Sequence, residues 1–226
     1  MKNIVITGTS RGIGMELVKQ LSGQGHQILA LSRNSGPIQE LELKNVNSFS
    51  CDITNSVQLN EVSHFVARTW GHVDVVIHNA GAMVNKPFAQ ISLEEFQQVY
   101  HTNVFAVVSL TQCLLPFMKA QSHVVAISSM GGIQGSVKFP GLSAYSSSKG
   151  AVISLMELLA EEYKENGPAF NVLALGAVQT EMLQEAFPGY KAPTTAAEMA
   201  SYVGNFALTG HKFYNGKVLQ VSNSTP

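Results

Sequence analysis

Apolar residues in this chain fall into short unbroken runs, separated by longer stretches in which they recur every three or four positions. The short runs predict strands at Asn3–Thr7, Gln27–Ser32, Asn47–Cys51, Val73–His78, His123–Ser128, Phe170–Leu175 and Lys217–Val221. The periodic stretches predict helices over 12–23, 55–69, 92–119, 143–166 and 195–207. Runs such as Val75-Val76-Ile77 are apolar on both faces, which suits a sheet covered on each side. Strands alternating with helices imply parallel β-α-β units with right-handed crossovers. The Gly- and Pro-rich clusters at 131–141 and 187–193 read as loops inside one unit. Residues 1–226 are therefore expected to form one doubly wound α/β domain.

The composition narrows the function. Hydrophobic residues make up 45%, which excludes a disordered chain. Charged residues make up only 13%, about half the usual share, and a lightly charged surface favours subunit association. A net charge of −1 offers no field for a nucleic-acid backbone, so no nucleic-acid partner is expected. No apolar run reaches the roughly 18 residues of a spanning helix, so no membrane role is expected. The start, Met1-Lys2-Asn3-Ile4-Val5-Ile6, reads as a strand and not a leader peptide. Cys51 and Cys113 are far apart, and the histidines show no ligand spacing. These patterns predict a reduced, cytoplasmic protein with no metal site.

Thr7-Gly8-Thr9-Ser10-Arg11-Gly12-Ile13-Gly14 follows the first strand and opens the first helix. Gly8 suits the tight turn, Gly12 a close backbone approach to a pyrophosphate, and Gly14 close packing of helix on sheet. The free N–H groups and dipole of a helix N-terminus attract an anion. Strand, glycines and helix in this order predict a dinucleotide site.

The spacing G-x-x-x-G-x-G is followed in order by Cys51-Asp52, Asn79-Ala80-Gly81, Asn103, Ser128-Ser129 and Tyr145-x-x-x-Lys149. Together these stations resemble the classical short-chain dehydrogenase/reductase family over nearly the whole chain. The resemblance implies a Rossmann-type fold of about seven parallel strands in order 3-2-1-4-5-6-7. It implies that Ser10, Arg11 and Ile13 line the phosphate turn, that Asp52 contacts the adenine amino group with Ile53 beside it, and that Asn79, Ala80 and Gly81 support a ribose. Gly176, Val178 and Thr180 follow the sixth strand, with Thr180 at the nicotinamide carboxamide. Residues 181–198 are implied to form a short substrate lid. The apolar stretch Val104–Met118, with Met156 to Leu159, is implied to pack in a homodimer or homotetramer.

The second strand ends Ala30-Leu31-Ser32-Arg33-Asn34. An NAD site places a carboxylate there for the ribose 2′-OH. Its absence, with Arg33 and Arg11 as cations and Ser32 as a hydroxyl donor, predicts NADP(H) in preference to NAD(H).

Tyr145 and Lys149 stand four apart on a predicted helix and share a face. A nearby ammonium favours a tyrosinate, so Tyr145 is expected to exchange a proton with a carbonyl or alcohol substrate. Lys149 is expected to hold the nicotinamide ribose as well. Ser128 and Ser129 are equal candidates by chemistry to bind the substrate oxygen; the resemblance favours Ser129. Asn103 sits where it weakens a helix, and the resemblance implies that its side chain kinks that helix and holds a water in a relay to Lys149.

The chain departs from the family pattern at four places. The interval from Ser129 to Tyr145 is longer, Leu175-Gly176 replaces Pro-Gly, the 181–198 segment is short, and His78 replaces an asparagine. The reading that follows is an NADP(H)-dependent oxidoreductase that reduces a ketone or aldehyde. The alternative is a dinucleotide-binding regulator with little turnover.

Overall fold

In the computed structural model, which describes residues 1–222, the apolar runs assemble into one seven-stranded parallel sheet. Its strands are β1 (Asn3–Thr7), β2 (Gln27–Ser32), β3 (Val46–Ser50), β4 (Val75–His78), β5 (His123–Ser129), β6 (Ala169–Leu175) and β9 (Lys217–Val221), in the order β3-β2-β1-β4-β5-β6-β9. The expected seven-strand order holds. The last strand is numbered nine because a two-strand pair, β7 (Val178–Gln179) with β8 (Thr194–Thr195), intervenes. Residues 223–226 of the expected domain lie outside the described residues.

Helices α3 (Ser56–Phe65), α5 (Ala106–Leu114) and α6 (Ser143–Glu162) cover one face, and α1 (Gly12–Gly23) with α8 (Ala196–Thr209) covers the other. Strand residues alternate between the two cores. Val5, Leu29, Val124 and Val172 meet Leu59, Leu110 and Met156 on the first face. Ile4, Ile28, Val125 and Leu173 meet Leu17, Leu21 and Val203 on the second. The strand order reverses between β1 and β4, and an open α/β sheet leaves its crevice at such a point, beyond the strands' C-terminal ends.

Several boundaries differ from the expectation. The third strand spans 46–50 and not 47–51, and the fourth begins at Val75 rather than Val73. The predicted helix 92–119 is broken. It runs as α4 (Leu93–Tyr100), a π turn at His101–Phe105, α5, and a 3-10 turn Leu115–Phe117 around Pro116. Proline lacks the N–H an α-helix needs there. The predicted 143–166 helix stops at Glu162. Short helices α2 (Gly36–Gln39) and α7 (Glu181–Ala186) are added. Among the described residues no helix is long and apolar enough to cross a membrane.

Candidate active site

The ends of β1 and β4 are bolted together before the glycine turn begins. Thr7 Oγ1 accepts from the backbone N–H of Asn79 (3.1 Å) and of Ala80 (3.0 Å). Asn79 Nδ2 donates to the carbonyls of Thr7 (3.0 Å) and Gly8 (3.1 Å). Asn79 thus braces the turn with its side chain. A Cβ on Gly14 would fall 2.1 Å from the Gly8 carbonyl oxygen, and one on Gly8 would fall 2.8 Å from Ala80 Cα. Neither backbone can give way. Gly12 has φ +58, a conformation that L side chains resist. The N-cap of α1, Arg11, provides no side-chain cap, so the first-turn N–H groups keep their capacity for an anion. These residues fit a pyrophosphate.

Gly8, Ser10, Gly12, Ile13, Ala80 and Gly81 line one cleft of about 1560 Å³. One end of it is formed by Ser32, Arg33, Asp52 and Ile53. Asp52 Oδ1 accepts from Thr54 N (2.9 Å) and Oγ1 (2.7 Å). Those bonds, and the charge of Arg33, hold its carboxyl below the usual range. Arg33 is exposed. Ser32 is not the free donor expected: its hydroxyl donates to the Asn34 carbonyl at 2.7 Å. Arg11 is also engaged, by Glu185 of α7.

At the other end stand Ser129, Tyr145 and Lys149. The two serines are now distinct. Ser128 is buried and its hydroxyl donates to the Lys149 carbonyl at 2.9 Å. Ser129 faces the cleft, hydrogen-bonds Tyr145, and accepts from Gly131 N at 3.3 Å. Tyr145 is part-exposed as a residue, yet burial pushes its hydroxyl up to about 12, with Ser129 opposing. Desolvation of the anion therefore favours the phenol among the protein groups alone, and the tyrosinate expectation rests on a cationic nicotinamide as well as on the ammonium. Lys149 Nζ lies 5.7 Å from the Tyr145 ring centroid and donates to the Ile127 carbonyl at 2.8 Å. Burial brings the Lys149 ammonium down to about 8.

Asn103 is 1% exposed and lies behind the cleft wall. Its Oδ1 accepts from Ala82 N (2.7 Å), and its Nδ2 donates to Ala82 O (2.9 Å) and Ser148 Oγ (2.9 Å). Both amide hydrogens are spent on Ala82 and Ser148, so its side chain staples these segments, and only Oδ1 keeps a lone pair for the expected water. The kink itself is present, as the π turn.

The sequence model of the short chain dehydrogenase family matches residues 2–191. The chain belongs to this family. It is 30% identical over 219 residues to oxidoreductase BOA17 of Botryotinia fuckeliana, covering 94% of this chain and 78% of that protein. It is 28% identical to the NADPH-dependent pterin aldehyde reductase of Arabidopsis thaliana, over 88% of this chain and 86% of the reductase. Other relatives are longer, and the chain spans 58% to 65% of their length. A solved short chain dehydrogenase of Shigella flexneri 2a str. 301, complexed with NADP, matches with a TM-score of 0.87. The two are 26% identical over 97% of this chain and 96% of that one.

The features in which this short-chain dehydrogenase departs from the pattern surround the same cleft. Leu175 stays in the β6 ladder opposite Ser129 and Val221. Gly176 then donates to the Val221 carbonyl at 3.0 Å, and a Cβ there would fall 2.4 Å from Ser222 Oγ. Val178 and Thr180 follow on the cleft wall. Thr180 Oγ1 caps α7 by accepting from Leu183 N at 3.3 Å. The long 130–142 loop folds around its own lysine. Lys138 Nζ donates to Gly131 O (2.8 Å), Ser136 Oγ (2.9 Å) and Ile133 O. Nothing in the spacing marks those carbonyls as partners of Lys138. Sequence reasoning also missed Glu185, whose one signal was its place four residues after Glu181. His78 is fully buried and bonds Thr111 Oγ1 at 2.9 Å.

Proposed function

We propose that this chain is an NADP(H)-dependent oxidoreductase that reduces a ketone or aldehyde to an alcohol, with Tyr145 as proton donor. The observation that carries this reading is the Tyr145 hydroxyl hydrogen-bonded to Ser129 in the cleft, with Lys149 Nζ 5.7 Å from its ring centroid. A donor must hold its proton until the substrate oxygen becomes basic, and a phenol raised to about 12 does so at neutral pH. NADP(H) bound along the glycine turn supplies the hydride. Ser129 offers its hydroxyl to the substrate oxygen, where it stabilises developing charge. Lys149 spends one N–H on Ile127 and keeps two for the cofactor ribose. Asn103 acts at one remove, by fixing Ser148 and the helix that carries Tyr145.

Arg33 at the end of β2, with no carboxylate beside it on that strand, supports the preference for the 2′-phosphate. The substrate end is lined by Met130, Phe139, Leu142, Met182 and Phe187, and Lys138 is tied to its loop. An uncharged, largely apolar carbonyl compound suits these walls. Residues 181–198, with α7, act as the substrate lid. Phe105 (51% exposed) and Leu158 (68%) stand on the outer helical faces, where a homodimer or homotetramer would bury them.

The test is Tyr145→Phe. Carbonyl reduction should fall at least about a thousandfold, the upper range for a positioned acid, while NADPH still binds. A dinucleotide-binding regulator would behave alike with either residue.

A further inference from the structure

Arg11 is gripped at both terminal nitrogens by the two carboxylate oxygens of Glu185, with Nη2 to Oε2 at 3.0 Å. An arginine offers the same fork to a phosphate. Glu185 lies on α7, one turn after Glu181, and both face the glycine turn. Glu181 Oε2 would lie 3.5 Å from a Cβ on Gly12, and its charge also acts on Arg11. We propose that Glu185 is a specificity-determining residue: it competes with the 2′-phosphate of NADP(H) for Arg11 and so sets how strongly the chain prefers NADP(H) to NAD(H). This rests on the dinucleotide reading given above.

Competition for Arg11 does not require every one of its donors to be consumed. A guanidinium already matched by a carboxylate attracts a second anion less, and the carboxylate itself repels that anion. NAD(H) carries no 2′-phosphate and has no reason to contest Arg11. The competition therefore falls on one of the two cofactors. It also couples to the lid, because the next residue, Ala186, accepts from Asn85 Nδ2 at 2.8 Å on the substrate side. A phosphate that draws Arg11 away loosens α7 at one of two adjacent attachments.

The experiment is calorimetric titration of the full chain with NADPH and with NADH. Glu185→Gln keeps the shape of the side chain and removes its charge. The side chain is 61% exposed, so folding is not at stake, and Glu185→Ala serves as a second variant. NADPH should bind about threefold to fivefold tighter to both, the worth of a well-formed exposed ion pair. NADH affinity should change by less than about twofold. In an Arg11→Gln background the gain from Glu185→Gln should vanish. NADPH affinity that is unchanged or weaker in Glu185→Gln, or an equal gain for NADH, overturns the competition and leaves the dinucleotide reading standing. An unaltered protein that binds neither nucleotide overturns both.

Discussion

Asn103 and Ser148 are joined by a 2.9 Å hydrogen bond that ties the π turn of one helix to the helix bearing Tyr145 and Lys149. Ser148 Oγ passes the link on by donating to the Tyr145 carbonyl at 2.7 Å. Asn103 also satisfies both backbone groups of Ala82. Replacing it with leucine would unpair those groups at the half-buried cleft wall, where each lost bond costs about 1–1.5 kcal/mol. Asn103→Leu should therefore lower stability by about 3 kcal/mol, and Ser148→Ala by about 1 kcal/mol. Urea unfolding measures both. Equal stability of Asn103→Leu and the parent would show that the staple carries nothing.

Arg33 stands at the β2 end of the cleft, exposed and with Asp52 in its field. Arg33→Asp replaces the cation with the carboxylate that suits a ribose 2′-OH. NADPH should bind at least about tenfold more weakly, in line with the loss of a charge-assisted contact, while NADH holds or improves. Unaltered NADPH affinity would remove Arg33 from the site.

The fold was legible from the strand runs and the glycine turn, because period and turn chemistry are local. Ser32, Arg33, Tyr145 and Lys149 line the cleft as their positions implied. What stayed hidden was how groups distant in sequence share partners. Ser128 and Ser129 are indistinguishable as letters. Only the strand's alternation, which sends one to the Lys149 carbonyl and the other to the cleft, separates them. Arg11 reads as a free cation in the sequence, and its carboxylate partner Glu185, like the carbonyl partners of Lys138, is announced by no spacing. The desolvation that raises the Tyr145 hydroxyl is likewise a property of packing, which spacing does not carry.

Lys149 supplies a pH dependence. Burial places its pKa at about 8, against 10.5 unburied, so the ammonium is present below about pH 8 and lost above it. Reduction should be steady below that value and fall about tenfold per pH unit beyond it. Stability moves the other way. Between pH 8 and 10.5 the unfolded chain holds a proton that the native chain has released, so the native state gains as pH rises. A rate profile flat to pH 9.5 would mean that the Lys149 charge is not used.

Two buried histidines set the acid limit. His78 is held near 3 by burial and by the charge of Lys149, and His123 near 4, chiefly by burial. His123 donates from Nδ1 to the Ala207 carbonyl at 2.9 Å, and its Nε2 meets Asn171 Nδ2 at 2.9 Å. A carbonyl only accepts, so the proton sits on Nδ1, and Nε2 accepts from the amide. A second proton would set donor against donor. In the unfolded chain both rings titrate near 6.5. As pH falls through 6.5 the unfolded state takes up protons that the native state refuses, so stability drops, and it continues to drop toward about 4. The loss is on the order of 3 kcal/mol for His123 and about 5 kcal/mol for His78 by the time each native pKa is reached. His26 and His211 act in the same direction through partial burial. The window from pH 6.5 to 5 lies above the ordinary carboxylate range, so the histidines dominate it. Urea midpoints at pH 7.5, 6 and 5 should decline in turn, and His78→Asn should flatten the decline by removing its share. Midpoints that do not move across that window would mean that neither ring is buried in its neutral form.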